Sequence, residues 1–502
     1  MLADAARGAA QRFGDHPAFV AADGWPLSYA ELDRASDEAA TGLARRGVAE
    51  GDVVAIAVPA IPEYVVVYVA AAKLGAITAG LNPRLAAPER AAALEVASPR
   101  LLVATADLAA GMPPDVEVEE VSPASGGAEM LPGLRAPGEG TRALPHNPER
   151  PTAIVFTSGT TGRAKGAVFA ERQLHTIVEA DTGGAWGTGG RMMSTTPFAH
   201  VGFMTKLPWY LRAGLTTFLL ARWRAEDAMR LVSEQRLTTF GGVPTQMALV
   251  LQLPDFDSYD ISSVASIVLG GGPATAALVA EIQKRFRVLV SVRYSSTESG
   301  GIGTAADGDD ALNADGLCVG RPRGPVQISV VDDDLHPLPV GELGEVCVTS
   351  PAVMSGYFRD PEQTAAAFTP DGSVRTGDVG WLDDVGRLHL AGRHRERYVR
   401  GGYNIYPGEV EAALAEHAGV AQVAIVAVAD DTFGQIGVAA VVPVDPVRPP
   451  SVEDLRAFAG GRVASYKLPD RVVIVDALPL TPVEKLDRDA LERVVGEQLQ
   501  SF

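Results

Sequence analysis

Three short apolar runs, each stopping abruptly at glycine or hydroxyl residues, constrain this chain most: TAIVFTSGTTG from Thr152, IVLGGGP from Ile267 and LVSVRYSSTESGG from Leu289. Runs of this length read as buried strands, and in a layered α/β fold the loops at strand ends are where ligands bind. The first hundred residues carry a similar rhythm, amphipathic helices alternating with strand-like runs such as Asp52 to Val58. A stretch from about Ala110 to Arg150, dense in Pro, Gly, Glu and Ser, reads as surface loop without chemistry. Beyond Leu335 come short strands with turns, and a compact α/β tail begins near Arg395. The expected fold class is α/β, with one domain over residues 1–394 and a second over 395–502. No long internal repeat interrupts this order.

With 502 residues, 47% of them hydrophobic, the chain can bury a large core in more than one domain. Its formal charge of −19 argues against nucleic acid as a partner and requires any anionic ligand to be held by a local positive pocket. The two cysteines, Cys318 and Cys347, form no CxxC pair and sit beside no histidine cluster, which speaks against disulfides and structural zinc and for a reducing cytoplasm. The amino terminus lacks the basic start and unbroken apolar stretch of a secretory signal and reads as an amphipathic surface helix. The most apolar segment, Tyr64 to Leu81, is interrupted by Lys73 and Gly75 and flanked by Pro62 and Pro83, which predicts a buried helix and no membrane span. Lysine is rare: Lys73, Lys165, Lys206, Lys284, Lys467 and Lys485 are all there are.

Four places can carry chemistry. Thr157-Ser158-Gly159-Thr160-Thr161-Gly162, followed by Lys165-Gly166, can wrap phosphates: glycines let amides converge, hydroxyls donate, and the lysine adds charge. The spacing is not that of a Walker loop, and a flexible surface turn has the same composition. Tyr294-Ser295-Ser296-Thr297-Glu298 presents a carboxylate at a strand end, suited to magnesium shared with phosphates or simply to solvent. Asp378 and Arg393 can meet ribose hydroxyls and phosphate, or form a surface ion pair. Lys485 lies in the proline-bounded turn Pro479 to Arg488, where an exposed lysine is the plain alternative.

Together, in this order, TSGTTGRAKG, YSSTE, RTGDVGWLDDVGRLHLAGRHRER, GGYNIYPGEVE and LTPVEKLDR resemble the acyl-adenylate-forming (ANL) superfamily, which includes acyl-CoA synthetases, aryl-CoA ligases, peptide-synthetase adenylation domains and beetle luciferases. The resemblance covers nearly the whole chain. It implies a large amino-terminal domain of stacked α/β subdomains with a β-barrel subdomain, and a small mobile carboxy-terminal α+β lid. It also implies ATP, Mg2+ and CoA as ligands. Thr157 to Gly166 would cradle the ATP phosphates, Thr297 contact the α-phosphate, Glu298 hold magnesium, Asp378 bind ribose and Arg393 meet ribose or phosphate. Lys485 would bridge the substrate carboxylate and the α-phosphate. Gly270-Gly271-Gly272-Pro273 would lie against adenine, and His200 would gate an acyl pocket lined by Phe203, Met204, Thr245, Gly271 and Ile302. Arg395 falls at the hinge, and Gly401-Gly402-Tyr403 matches the loop that approaches CoA.

Two positions depart from the family's pattern: Arg163-Ala164 precede Lys165 where proline is common, and Glu484 replaces the glycine before Lys485. The expected activity is conversion of a hydrophobic monocarboxylic acid to acyl-AMP and then to its CoA thioester. The alternative is transfer of the acyl group to a carrier protein or partner enzyme. A nucleotide-binding regulator without turnover is disfavoured by Lys165, Glu298, Asp378 and Lys485 standing together; a luciferase-like oxygenase shares the first half-reaction. Monomer and homodimer are both compatible with the sequence.

Overall fold

The structure is a computed structural model. It describes residues 1–110, 112–113, 116–137, 144–157, 164–272, 274–311, 317–393, 396–400, 403–430, 432–460, 462–481 and 485–500, without the side chains of residues 309, 317, 404 and 500.

A six-stranded sheet runs in the order Val118–Glu120, Leu101–Ala104, Val53–Ala57, Ile77–Gly80, Pro151–Thr157, Lys165–Ala170. All neighbours are parallel except the last pair. Every residue of Val53–Ala57 is buried, as a strand covered on both faces requires. The helix Pro62–Leu74 is apolar almost all round and buried accordingly. Its lysine, Lys73, is fully enclosed and bonded to Asp33 at 2.6 Å and Asp37 at 2.8 Å on the helix Tyr29–Arg45. Two carboxylates offset the desolvation of that ammonium. Among the described residues no helix is long and apolar enough to cross a membrane.

The stretch read as surface loop is in part packed. Met130, Leu131 and Leu134 are buried, and Arg135 is tied to Glu38 at 2.7 Å. Scattered apolar residues without periodicity escape pattern reading, yet a few of them suffice to dock a segment on a helix.

A nine-stranded sheet begins with three parallel strands, Thr239–Gly242, Ser266–Gly270 and Leu289–Tyr294, and continues antiparallel through Thr304–Asp307 and Leu317–Pro322 to Leu388–Arg393, Val374–Leu382, Gly344–Thr349 and Gln327–Val331. The antiparallel end is the part expected as a barrel. It is an extension of one open sheet, because Thr304–Asp307 pairs with both halves, and no pairing closes it among the described residues. A four-stranded sheet holds Pro17–Val20, Pro26–Ser28, Leu215–Phe218 and Gly190–Met193.

The tail forms a fourth sheet of its own, made of Tyr398–Arg400, Tyr403–Ile405, Val420–Asp430, Gly434–Pro443 and Arg471–Ile474. One face packs on Val410, Leu414 and Leu455, the other on Leu491 and Val495.

Candidate active site

Asp378 and Arg393 are cross-strand partners on Val374–Leu382 and Leu388–Arg393. The Arg393 Nε stands 2.9 Å from Asp378 Oδ1, and the Tyr294 hydroxyl donates to Oδ2 at 2.7 Å. Each carboxylate oxygen keeps a further lone pair, so the group remains able to accept from two adjacent hydroxyls. Burial raises the pKa of Asp378, and Arg393, Tyr294 and Lys485 pull it back. Burial and the neighbouring Asp378 push Tyr294 far up, which keeps it a neutral donor.

Glu298 stands in the turn after Leu289–Tyr294. That turn is fixed by Ser296 and Ser299, whose amides each donate to the other's hydroxyl at 3.0 Å, and it closes on Gly300 and Gly301, at φ 74 and 76 where a side chain would be strained. Glu298 Oε1 accepts from the Tyr357 hydroxyl at 2.8 Å. Lys165 lies 5.3 Å above the Tyr357 ring and donates to Gln363 Oε1 at 2.5 Å. A cleft of about 850 Å³, counting its open mouth, joins Lys165, Glu298, Tyr357, Gln363, Arg375 and Arg393. Arg375 is held by Glu345 at 2.6 Å.

Lys485 comes from the tail. Its amide donates to Thr481 Oγ1 at 3.2 Å and its carbonyl accepts from Thr481 N–H at 2.6 Å, which fixes the backbone at this position. Burial by the surrounding protein and the Arg393 charge lower its pKa, opposed by Asp378 and Glu298. Lys485 therefore stands within electrostatic reach of Arg393, Asp378 and Glu298. It also reaches His200, which burial, with Lys485 second, lowers to about 4. His200 caps the helix Val201–Met204, its Nδ1 accepting from Gly202 N–H at 3.5 Å, so a neutral ring carries its proton on Nε2.

Other expected residues fall differently. Thr157 and Lys165 face each other across an antiparallel pair, and the strand Pro151–Thr157 is followed by the strand Lys165–Ala170, not by a helix. Ser158, Gly159, Thr160, Thr161, Gly162, Pro273, Arg395, Gly401, Gly402 and Glu484 lie outside the described residues. Gly270, Gly271 and Gly272 end the strand Ser266–Gly270, with Gly271 at φ 78 beside Val243. Ser295 is exposed and Thr297 half-buried. Phe203 stacks on Phe198 at 3.7 Å, and the Met204 carbonyl accepts from Tyr68, both inside the main core. Ile302 packs with Ile177, Val326 and Val348. Thr245 keeps a buried hydroxyl without a partner. Tyr403 is exposed and stacks on Tyr466 at 4.4 Å.

Tyr357 and Gln363 were missed by sequence reasoning. Tyr357 is brought in by a bridge to Ala167, next to the lysine hairpin, with Phe358 N–H donating to the Gly166 carbonyl. Only an aromatic residue in the glycine-flanked segment Ser355 to Asp360 hinted at it.

A buried carboxylate, Asp378, able to accept from hydroxyls, a second carboxylate, Glu298, the cations Lys165, Arg375 and Arg393, and a lysine delivered by a small second domain together define a nucleotide-activating α/β ligase. The comparisons with known proteins agree. The model of the AMP-binding enzyme family matches residues 6–358, and that of the AMP-binding enzyme C-terminal domain matches 409–485. The indoleacetate–CoA ligase of Aromatoleum aromaticum is 33% identical, over 94% of each chain. The fatty acid–[acyl-carrier-protein] ligase ScoC of Streptomyces coeruleorubidus is 31% identical over 95% of this chain and 93% of its own. The amide bond synthetase McbA from Marinactinospora thermotolerans superposes with a TM-score of 0.87 at 30% identity, covering 99% of this chain and all of that one (100%). The chain belongs to the AMP-binding enzyme family, in the branch of the acyl-CoA synthetases.

Proposed function

We propose that the protein activates a carboxylic acid with an apolar body as its acyl-adenylate, releases pyrophosphate, and passes the acyl group to the thiol of CoA. The observation that carries this reading is Lys485 reaching, from the tail, the cluster of Asp378, Arg393, Glu298 and His200. The acid's carboxylate attacks the α-phosphorus of ATP and the bond to the β-phosphate oxygen breaks. Negative charge grows on the α-phosphate oxygens, where Lys485 and Thr297 would stabilise it. Asp378 would accept from the two ribose hydroxyls, and Lys165 and Arg393 would meet phosphate oxygens. His200, neutral, would close the acyl site without competing for the anion.

Magnesium fits Glu298: Oε1 is committed to Tyr357, leaving Oε2 for a cation that takes its other ligands from phosphate and water. No cluster of three acids or histidines competes for it among the described residues. Bound there, the ion would offset phosphate charge. Residues 395–502 would act as a lid turning at Arg395, withdrawing Lys485 and bringing Gly401 to Tyr403 toward CoA, in a cytoplasmic enzyme.

The second reading, another acceptor after the same activation, is favoured by the relatives named for a carrier protein and for amide bonds. Mass spectrometry of pyrophosphate, AMP, acyl-AMP and acyl-CoA, with ATP, magnesium and an acid panel, tests both. Acyl-CoA with AMP supports the first; acyl-AMP accumulating despite CoA supports the second; no AMP from any acid overturns both.

A further inference from the structure

Arg293 is the penultimate residue of the strand Leu289–Tyr294, one step before the tyrosine that holds Asp378. Alternation along the strand buries Val290, Val292 and Tyr294 on one face and leaves Ser291 and Arg293 on the other. Its cross-strand neighbours are Gly270 and Ala305, too small to cover a guanidinium. Arg293 makes no hydrogen bond or ion pair with any described residue, although it is half-buried.

Two further cations share its surroundings. Lys206 and Arg323 both bind Asp181, at 2.7 and 3.2 Å, with the lysine 13%, the arginine 27% and the aspartate 12% exposed. Lys206 follows the helix that His200 caps, and its Cε lies 3.8 Å from where a Cβ on Gly301 would sit, just past the Glu298 turn. Burial first and Arg323 second lower the pKa of Arg293, opposed by Asp307 and Asp181. Asp307 is exposed, so a single enclosed carboxylate faces three cations. Ser291, on the same strand face, has a buried hydroxyl without a partner. Uncompensated positive charge in an enclosed place is costly unless an anion completes it. The whole-protein charge of −19 makes this local excess a specific feature.

We propose that Arg293 binds a second carboxylate at the far end of the acid being activated, so that the substrates are dicarboxylic acids with an apolar spacer. The inference rests on the ligase reading above and replaces the single carboxylate expected from sequence. One carboxyl group reacts beyond Tyr294, near Thr297 and Lys485; the other lies back along the strand, where the fork of the guanidinium can take both its oxygens. Asp181 holds Lys206 and Arg323 as flanking charge.

Pyrophosphate release is measured for pairs of acids with the same carbon skeleton and one or two carboxyl groups, using wild type, Arg293→Met and Arg293→Lys. Wild type is expected to favour the diacid by about 10²-fold in kcat/KM, mainly through KM. Arg293→Met should abolish that preference while still activating the monoacid, and Arg293→Lys should keep part of it. Wild type preferring the monoacid, or Arg293→Met slowing both acids alike, would overturn the inference and leave the ligase standing. Absence of AMP with every acid would remove the ligase reading and this inference with it.

Discussion

The carboxylate of Asp378 is gripped from two sides, by Arg393 directly across the strand pair at 2.9 Å and by Tyr294, from the parallel end of the same sheet, at 2.7 Å. Replacing Asp378 with Asn keeps the shape but removes the charge that Arg393 faces. The KM for ATP should rise by about 10²-fold, with a smaller change in the KM for the acid. Equal changes in both constants would separate Asp378 from nucleotide binding.

Lys485 offers a test of the two half-reactions. Lys485→Ala should slow acyl-AMP formation by about 10²–10³-fold while thioester formation from presynthesised acyl-AMP stays near wild type. The ammonium must be charged to act, and its pKa is lowered by burial and Arg393. Adenylation should therefore decline on the alkaline side at a lower pH than a free lysine would allow, in rates measured from neutral pH upward.

Tyr357→Phe removes the hydroxyl that fixes Glu298 and the polar edge of the ring under Lys165. Activity at limiting magnesium should fall by about 10-fold and recover as magnesium is raised. A loss that magnesium does not restore would place Tyr357 outside metal binding.

His200 gives a stability signature. Its folded pKa of about 4 lies below the 6.5 of a free histidine, so between these values the unfolded chain binds the extra proton. Its contribution is present above pH 6.5 and is lost as pH falls toward 4. Denaturant unfolding of His200→Gln at pH 5 and pH 7 should show a smaller difference than wild type, as no proton is taken up at that position.

Gly42 sits inside the helix Tyr29–Arg45, where alanine would gain about 1 kcal/mol of helix propensity. A Cβ there would overlap the Leu134 carbonyl of the docked segment. The clash wins: Gly42→Ala should lower stability by about 2 kcal/mol or more, seen as a fall in the melting temperature.

Sequence carried the strand ends and the local motifs, which is why Thr297, Glu298, Asp378, Arg393 and Lys485 could be named before any geometry. Their types and spacing are local, and the glycines and prolines around them mark turns. Contacts across long separations were not legible. Tyr357 meets Glu298 across 59 residues, and Arg293 gains its meaning only from Asp181 and Lys206 on other elements. The open end of the nine-stranded sheet depends on one shared strand, Thr304–Asp307, which no local pattern singles out.

The hairpin that joins Thr157 to Lys165 has a consequence for how this site can vary. Where a phosphate loop runs directly into a helix, each inserted residue rotates everything after it by roughly 100°. Here both ends of the connection are clamped in one antiparallel ladder, with Thr157 opposite Lys165. The connection can gain or lose residues while the lysine keeps its place, so the length of this glycine- and hydroxyl-rich segment is free to drift without moving the charge at its base.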